Sequence, residues 1–477
     1  MRYIKSNDYD RFKCIAGRCP ESCCEGWQIV IDDLSLEKYR EMTGSSAAFA
    51  ARIKASVDWE EHCFKQHGRR CDFLAEDGLC DLQRKCGEAA LCMTCDRYPR
   101  HEEEFRNVRE WSVSVSCPRV AEMLVEDKAD CAGFTGYTEW ETEEKDPDED
   151  YEDFDDGLYG VLCDARQLIF EIIHDRRISL SSRMEQILFL AEQLQEMLDA
   201  ENGSVYGSGY ESGSGVLPEV NAGQPEAADE MDKPDDRSKT GGTAAEYPSI
   251  HHGISRAWFD GLLDEYEMVH ESREDAKNSF TILYDLEPLH DDWFDTLEQV
   301  WSAFFADMKN EGGAESLCWK IYDSILTGHT AFEPAAERLL EYFIYTYFCG
   351  AVYDGWIFAK AAFAVYSVRW IFMTFIAECA DAAALPDAGR TETVDAGAKP
   401  GADTGARTDV DAAAVPDSDA VAWAMPDADS GVMPGMAGKG LLSAEAKEKL
   451  VRCIYRYSRE AEHSEENMGA LEEFFQG

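Results

Sequence analysis

The spacing of its cysteines constrains this chain more than any other feature of the sequence. Twelve of the seventeen cysteines fall within the first 131 residues. In a secreted protein such density indicates disulfide bonds, whereas in a reducing cytosol it indicates metal binding or catalysis. The N-terminus lacks the apolar segment of a secretory signal. We therefore expect a cytoplasmic protein with a metal or iron–sulfur module rather than a disulfide framework.

The first group consists of four thiols within eleven residues, from residue 14 to residue 24. Gly17 and Gly26 allow a wider range of backbone conformations there, so the chain can wrap closely around a metal. Thiolates select zinc, copper(I) or iron–sulfur clusters over hard cations. The adjacent residues Cys23 and Cys24 rarely ligate one ion with good geometry, so we expect them to have different roles.

A second group of cysteines runs from residue 71 to residue 95, and a Cys-Pro pair follows at 117–118. Cys92 and Cys95 form the only C-x2-C pair, which excludes a classical zinc finger. A cysteine before a proline resembles ferredoxin ligation. Zinc and a four-iron cluster (4Fe-4S) both remain open, and eight thiols could supply two sites. The predicted metal ligands are Cys14, Cys19, Cys23, Cys24, Cys71, Cys80, Cys95 and Cys117.

Four motifs follow one another near the N-terminus: Cys14…Cys19…Cys23-Cys24-x-Gly-Trp, Cys71-x-Phe-Leu…Gly-Leu-Cys80, Cys95-x-x-Tyr-Pro-Arg and Ser116-Cys117-Pro118. With these motifs the chain resembles the flagellin lysine-N-methylase family over roughly residues 1–125. The cysteine arrangement is also similar to that of small zinc- or iron-chelating domain proteins. The resemblance implies methyl transfer from S-adenosylmethionine to lysine side chains of flagellin, and it implies that the cysteines named above are functional.

The donor-binding residues and the catalytic base are not evident from the residues themselves. Gly207-Ser208-Gly209 lies in a polar tract without a preceding strand, so it does not form a nucleotide-binding turn. Either the donor site is unusual, or the chain binds metal without methylating anything. The alternative hypothesis is therefore a non-catalytic metal- or iron–sulfur-binding protein, such as a chelator or sensor. Arg97 and Arg100 either clamp a carboxylate or pair with neighbouring acids.

The formal net charge of −50 narrows the range of partners. Nucleic acids and anionic membranes attract basic surfaces, so we expect neither as a partner. Flagellin or a similar lysine-bearing protein fits the acidic surface better. The most hydrophobic stretch, residues 339–380, is interrupted by charged residues. It predicts buried helices and no membrane insertion.

Periodicity predicts a mainly α fold, in which a small irregular cysteine-rich metal-binding module with short strands precedes an α-helical C-terminal region. The predicted strands are residues 27–31 and 111–115, and Ser182 with Glu185 predicts a helix-capping box. A final helix is predicted at about 443–462. The predicted segments are a cysteine-rich module (1–135), an acidic linker (136–157), a helical region (158–202), a disordered linker (203–250), a helical domain (251–383), a low-complexity insertion (384–440) and a C-terminal helix (441–477).

Overall fold

The computed structural model describes most of the chain outside its low-complexity tracts. The predicted disordered segments at 203–250 and 384–440 lie outside the described residues, apart from Ala384, and so does Cys131. The described residues are 1–44, 49–126, 137–143, 154–201, 254–266, 270–306, 316–327, 330–384 and 443–476.

The strands are short and lie in the first third of the chain. One mixed sheet has the order β6-β7-β1-β8, in which β1 runs parallel to β7 and antiparallel to β8. The pairs β2–β3 and β4–β5 are antiparallel hairpins in which each strand is two residues long. The bounds are β1 (Arg2–Ser6), β2 (Val57–Asp58), β3 (Cys63–Phe64), β4 (Gln66–His67), β5 (Arg70–Cys71), β6 (Arg100–Phe105), β7 (Val108–Val113) and β8 (Tyr137–Glu141).

Helices form most of the remaining described residues, which confirms the mainly α prediction. Their bounds are α1 (Asn7–Arg11), α2 (Asp33–Thr43), α3 (Ala50–Ser56), α4 (Asp81–Cys86), α5 (Met93–Arg97), α6 (Pro118–Val125), α7 (Asp156–Ile173), α8 (Leu180–Glu201), α9 (Arg256–Leu263), α10 (Arg273–Phe280), α11 (Trp293–Phe304), α12 (Leu317–Thr327), α13 (Glu333–Tyr347), α14 (Ala351–Asp354), α15 (Ile357–Ala384), α16 (Ala444–Ala461) and α17 (Glu465–Gln476).

Helix α15 forms the centre of the helical body. It packs against α8, α11, α13, α16 and α17, and nearly all of its described side chains are buried, including those of Lys360 and Arg369. Its segment Ile357–Ala380 is the one described helix long and apolar enough to cross a membrane, yet 89% of its apolar window is buried by other parts of the chain. The prediction of buried helices in this region is confirmed.

Two hydrophobic cores divide the described residues. The large core joins the helices from α7 onward to the N-terminal sheet and α6. The small core contains twelve buried residues between Ile29 and Cys92. Strand β7 is fixed to the helical body by Glu110, which accepts two hydrogen bonds from the buried Arg166 guanidinium, at 2.5 and 2.6 Å. We call residues 13–95 the cysteine-rich segment. This segment has the small core of its own, whereas the sheet and the helical body share the large core.

Three local predictions need correction. Residues 27–31 form no strand, because Val30 makes only an isolated bridge with Cys63 while Ile29 and Ile31 bury their side chains. Helix α8 begins earlier than predicted: Ser179, not Ser182, caps it, since the Ser182 amide donates to Ser179 Oγ.

The third correction concerns the acidic linker predicted at 136–157. Its residues Tyr137–Glu141 form β8, the edge of the sheet. Trp140 stacks on Tyr3 of β1 with ring centroids 5.2 Å apart, and Glu139 pairs with Arg2. The second predicted strand, 111–115, is confirmed as far as Val113, where β7 ends. The C-terminal helix is confirmed as α16, and α17 follows it.

Candidate metal centre

A cavity of about 340 Å³ lies between the cysteine-rich segment, the start of α6 and helix α16. Trp27 and Tyr98 form part of its wall, with ring centroids 5.2 Å apart. Of the eight predicted ligands, seven line this cavity and Cys71 does not. The cavity-lining ligands are Cys14, Cys19, Cys23, Cys24, Cys80, Cys95 and Cys117.

The first thiols are presented by a tight loop that precedes a single 3-10 turn, Ala16–Arg18. The Ala16 amide donates to Cys14 Sγ at 3.3 Å, and Cys19 Sγ donates to the Glu21 carbonyl at 3.0 Å. An amide that donates to sulfur favours the thiolate, which is the form that binds metals. Cys14 is exposed, so this side of the cavity is open to solvent.

Cys23 and Cys24 are hydrogen-bonded to each other through their thiols. This bond lowers the pKa of Cys24 to about 7, and the same bond together with burial raises the pKa of Cys23. Gly26, at φ +109°, then turns the chain so that its backbone passes close to Leu289 of the helical body. A side chain at this position would be strained by the positive φ and crowded by Leu289.

The second group of thiols is brought to Cys24 by backbone pairing. The Cys71 amide donates to the Cys24 carbonyl at 2.9 Å. Cys80 precedes α4 at its N-cap position, and Cys92 precedes α5 in the same way. The thiols of Cys92 and Cys95 are hydrogen-bonded to each other, which lowers the pKa of Cys92 and, with burial, raises the pKa of Cys95.

Cys117 reaches the cavity from the N-cap of α6, with Pro118 as the first helical residue. Burial raises the pKa of this thiol to about 11, and hydrogen bonds from the amides of Val120 and Arg119 act in the opposite direction. A helix N-terminus favours negative charge, so this position suits a thiolate ligand.

Apart from the hydrogen bond between Cys23 and Cys24, electrostatic interactions sort the eight predicted ligands into two sets of four. Cys117 interacts with Cys14 and Cys19, and Cys23 interacts with Cys14 and Cys117. Cys24, in contrast, interacts with Cys71, Cys80 and Cys95. The neighbouring residues Cys23 and Cys24 thus belong to different sets. We call these the first set (Cys14, Cys19, Cys23, Cys117) and the second set (Cys24, Cys71, Cys80, Cys95).

The donor chemistry and the geometry can be tested separately. Four cysteines match both a structural zinc site and a four-iron cluster. Zinc needs its sulfurs at about 2.3 Å from one point. Across the described residues, no three Cys, His, Asp or Glu side chains converge closely enough to hold a metal ion. The thiols therefore surround the cavity with the composition of a metal site but not the tight convergence that a single ion requires.

Arg459 of α16 completes the cavity wall, and no sequence signal identified it. Its side chain is 1% exposed and donates from Nε to the Ser116 carbonyl and from Nη2 to the Glu21 carbonyl. Its guanidinium lies 5.0 Å from the Trp27 ring centre. Because it lies 343 residues beyond Ser116 in the chain, its position depends on the tertiary fold alone.

The two arginines singled out in the sequence have different surroundings. Arg97 lies 3.8 Å from Glu102, which agrees with pairing to a neighbouring acid. Arg100 lines the cavity and lies over the rings of Tyr9 and Phe12.

A chain of hydroxyl groups leads from the cavity wall to a buried carboxyl group. The Tyr98 hydroxyl is 3.1 Å from Ser116 Oγ, which is 2.7 Å from Ser114 Oγ. Ser114 is hydrogen-bonded to Tyr342, whose hydroxyl donates to Glu462 Oε2 at 2.5 Å. Burial raises the pKa of Glu462. The sequence did not indicate this series of hydrogen-bonded groups, because its members come from three distant segments.

The fold and the site together define a helical protein that carries a cysteine-rich segment around a thiol-lined cavity. No family profile matches the chain, and no solved structure matches it. It is 30% identical over 122 residues to the "Flagellar biosynthetic protein FliU" of Salmonella muenchen, a match that covers 24% of this chain and 72% of the relative. The chain belongs to the flagellin lysine-N-methylase family.

Two longer relatives match over a similar length. The "Lysine-N-methylase" of Salmonella typhimurium is 30% identical over 123 residues, and the protein of the same name from Salmonella choleraesuis is 30% identical over 122 residues. The matches span 31% and 30% of those proteins. The chain therefore matches less than a third of the length of these relatives.

Proposed function

We propose that this chain is a protein-lysine N-methyltransferase that transfers methyl groups from S-adenosylmethionine to lysine side chains of flagellin or a similar protein, and that it acts in the cytoplasm. Family membership is the observation that carries this proposal. The relatives are named lysine-N-methylases and a flagellar biosynthetic protein. The acidic surface suits a substrate segment that carries lysines.

The reaction requires a neutral lysine amine. Its nitrogen lone pair forms the new N–C bond while the methyl–sulfur bond breaks, S-adenosylhomocysteine leaves, and the nitrogen releases one proton. A proton acceptor near the reacting amine assists this chemistry. The hydrogen-bonded hydroxyl groups from Tyr98 to Glu462 support the proposal, because they join the cavity wall to a buried carboxylate whose raised pKa makes it a stronger proton acceptor than an exposed one.

We further propose a cysteine-ligated iron–sulfur cluster or zinc site in the cavity. Each of the two sets defined above has the four thiols that one such group requires. Such a group supplies folding energy to a segment with few core residues. The seven thiols that line the cavity support this part of the proposal.

Anaerobic purification followed by metal analysis tests the metal site. We expect either iron and sulfide with a broad visible absorbance, or zinc in a colourless protein. The first result supports a cluster, and the second supports zinc. Folded protein that contains neither metal would overturn the proposal of a cysteine-ligated site.

Mass spectrometry of co-expressed flagellin tests the activity. We expect methylated lysines with the wild-type chain and a large loss of methylation with Cys95→Ala, which removes a thiol of the second set. Cys379→Ala is the matched control, because Cys379 is buried in α15 and does not line the cavity. Unmodified flagellin in the presence of folded, metal-loaded wild-type protein would contradict the proposal.

A non-catalytic metal- or iron–sulfur-binding protein, a chelator or sensor, is the second candidate function. The thiol-lined cavity favours it independently of the family relationship. Metal-loaded protein that leaves flagellin unmodified is the result expected from this function.

A further inference from the structure

A second cavity, of about 260 Å³, lies in the helical body between α10, α12 and α15. It does not share a wall residue with the thiol-lined cavity. Its volume is slightly below the range typical of pockets for drug-sized ligands, so it suits a molecule of amino-acid size. The polar residues that matter for its chemistry are His270, Glu271, Tyr322 and Arg369, and Glu185 of α8 lies beside them.

Charged groups are buried at this cavity. Arg369 is 3% exposed, and its Nη1 lies 3.1 Å from Glu271 Oε2. Its guanidinium also lies over the Tyr366 ring, 5.1 Å from the ring centre. Burial raises the pKa of Glu271. Buried charges are costly unless they are paired and fully hydrogen-bonded.

Several buried polar atoms at this cavity have no hydrogen-bond partner among the described residues. No protein partner among them reaches Arg369 Nε, Tyr322 Oη, Glu271 Oε1 or Glu185 Oε2, and Arg369 Nη1 makes its contact with Glu271 without hydrogen-bond geometry. Buried polar atoms in folded proteins almost always have a partner. Several unpaired donors and acceptors around one cavity therefore indicate that a polar ligand belongs there.

The signs of the charges restrict the ligand. An anion alone would meet the carboxylate of Glu271, and a cation alone would meet Arg369. The two other basic side chains at the cavity have acidic partners: Arg273 pairs with Asp323 at 2.9 Å, and His270 lies 2.8 Å from Glu185. A ligand with both charges satisfies both kinds of group.

We infer that this cavity binds an α-amino-acid zwitterion, with its carboxylate at Arg369 and Tyr322 and its ammonium group at Glu271. Two sources share this chemistry: a free amino acid, and the amino-acid end of S-adenosylmethionine. The second source rests on the proposed function, and the first does not.

Isothermal titration of the full-length, metal-loaded protein tests the inference. The probes are the common amino acids, S-adenosylmethionine and S-adenosylhomocysteine, with methylthioadenosine as the probe that lacks the zwitterion. We expect binding of at least one zwitterionic probe and none of methylthioadenosine. Binding of an amino acid alone identifies the free amino acid as the ligand, whereas binding of only the adenosyl amino acids identifies the methyl donor.

Variants locate the binding in this cavity. We expect Glu271→Gln and Tyr322→Phe to weaken binding roughly tenfold or more, since the first removes the negative charge that faces the ammonium group and the second removes a hydrogen bond to the carboxylate. Tyr457→Phe is the matched control: Tyr457 is another buried tyrosine, it bonds to Ser367, and it does not line this cavity. Melting curves identify variants that fail to fold, and Tyr322→Phe is conservative enough to remain folded.

Three results would overturn the inference: no zwitterionic probe binds, methylthioadenosine binds as well as the zwitterions, or Tyr322→Phe and Glu271→Gln bind like the wild type. Flagellin methylation distinguishes this failure from failure of the proposed function. Methylation by a protein whose cavity binds no zwitterion refutes only the inference. Zwitterion binding without methylation leaves the inference standing and refutes the activity.

Discussion

Arg459 connects the cysteine-rich segment to the C-terminal helices through backbone carbonyls. It donates to the carbonyls of Ser116 and Glu21, one on each side of the thiol-lined cavity. Its removal would leave these contacts unmade and would also remove the cation from the Trp27 ring. A buried guanidinium that makes several hydrogen bonds therefore contributes more to the free energy of unfolding than a typical surface charge does.

We expect Arg459→Ala to lower the free energy of unfolding by about 3 kcal/mol, because hydrogen bonds to a charged group are lost inside the protein. Arg452→Ala on the same helix is the control, since its pair with Glu378 is half-exposed and worth at most about 1 kcal/mol. Urea unfolding of both variants measures the difference. Equal losses would contradict a special role for Arg459.

Cys24 tests the division of the thiols. We expect Cys24→Ala to weaken metal binding roughly tenfold or more. Loss of a group that only orients a metal ligand already lowers metal affinity by about tenfold, and loss of the ligand itself should lower it at least as much. Cys86→Ala is the control within the same segment: Cys86 is half-buried and does not line the cavity. Metal content after anaerobic dialysis measures both. Full metal content in Cys24→Ala would show that the second set does not ligate.

At the scale of residues the sequence predicted most of the cysteines that line the cavity but not how they group. The spacing of Cys14 to Cys24 predicted a metal-binding segment, which stays a prediction, and different roles were expected for Cys23 and Cys24. Cys117 joins the first set only because β7 and α6 return to the start of the chain. Arg459 could not be found, because single arginines in a helix carry no signal for a contact hundreds of residues away.

At the scale of elements, one buried ion network docks the cysteine-rich segment on α16. His290 Nε2 lies 2.8 Å from Glu21 Oε1, and His290 Nδ1 contacts Glu460. Burial acts to lower the pKa of His290, but the hydrogen bonds to both carboxylates outweigh it and raise the pKa to about 9. The imidazolium therefore bridges two elements at neutral pH.

This network predicts a pH dependence of stability. The folded pKa of His290, about 9, exceeds its unfolded value of about 6.5. Its stabilisation is therefore complete below about pH 6.5 and is lost as the pH rises towards 9, by a total on the order of 3 kcal/mol. Urea unfolding across this range should show the decline in the wild type and a flatter profile in His290→Gln. Parallel profiles would contradict the assignment.

The elements also show where sequence patterns fail. Helices α7, α15 and α16 were predictable because their apolar residues recur at helical spacing over many turns. Strand β8 was not, because acidic residues on an exposed edge strand resemble a solvated linker. Residues 27–31 looked like a strand, yet their isoleucines are buried in the small core without a partner strand long enough to form a ladder.

At the scale of the whole molecule, the two cores differ greatly in what they can support. The small core has twelve buried residues, too few to stabilise an isolated domain without additional links. The large core extends from β1 to α17 and includes the centrally placed α15. We therefore expect the stability of the cysteine-rich segment to depend on the proposed metal and on docking to the helical body, and that of the body to depend on neither.

Metal removal should consequently loosen one part of the molecule and spare the other. After anaerobic chelation we expect trypsin to cleave within residues 13–95, while the helical circular dichroism signal of the body persists, because a metal-stapled segment loses its binding free energy when the metal leaves. The wild type before chelation is the reference, and restoration of resistance on adding back the metal excludes irreversible damage. Cys86→Ala should behave like the wild type. Unchanged trypsin resistance of residues 13–95 in metal-free protein would show that the small core and its docking contacts, rather than the metal, hold this segment in place.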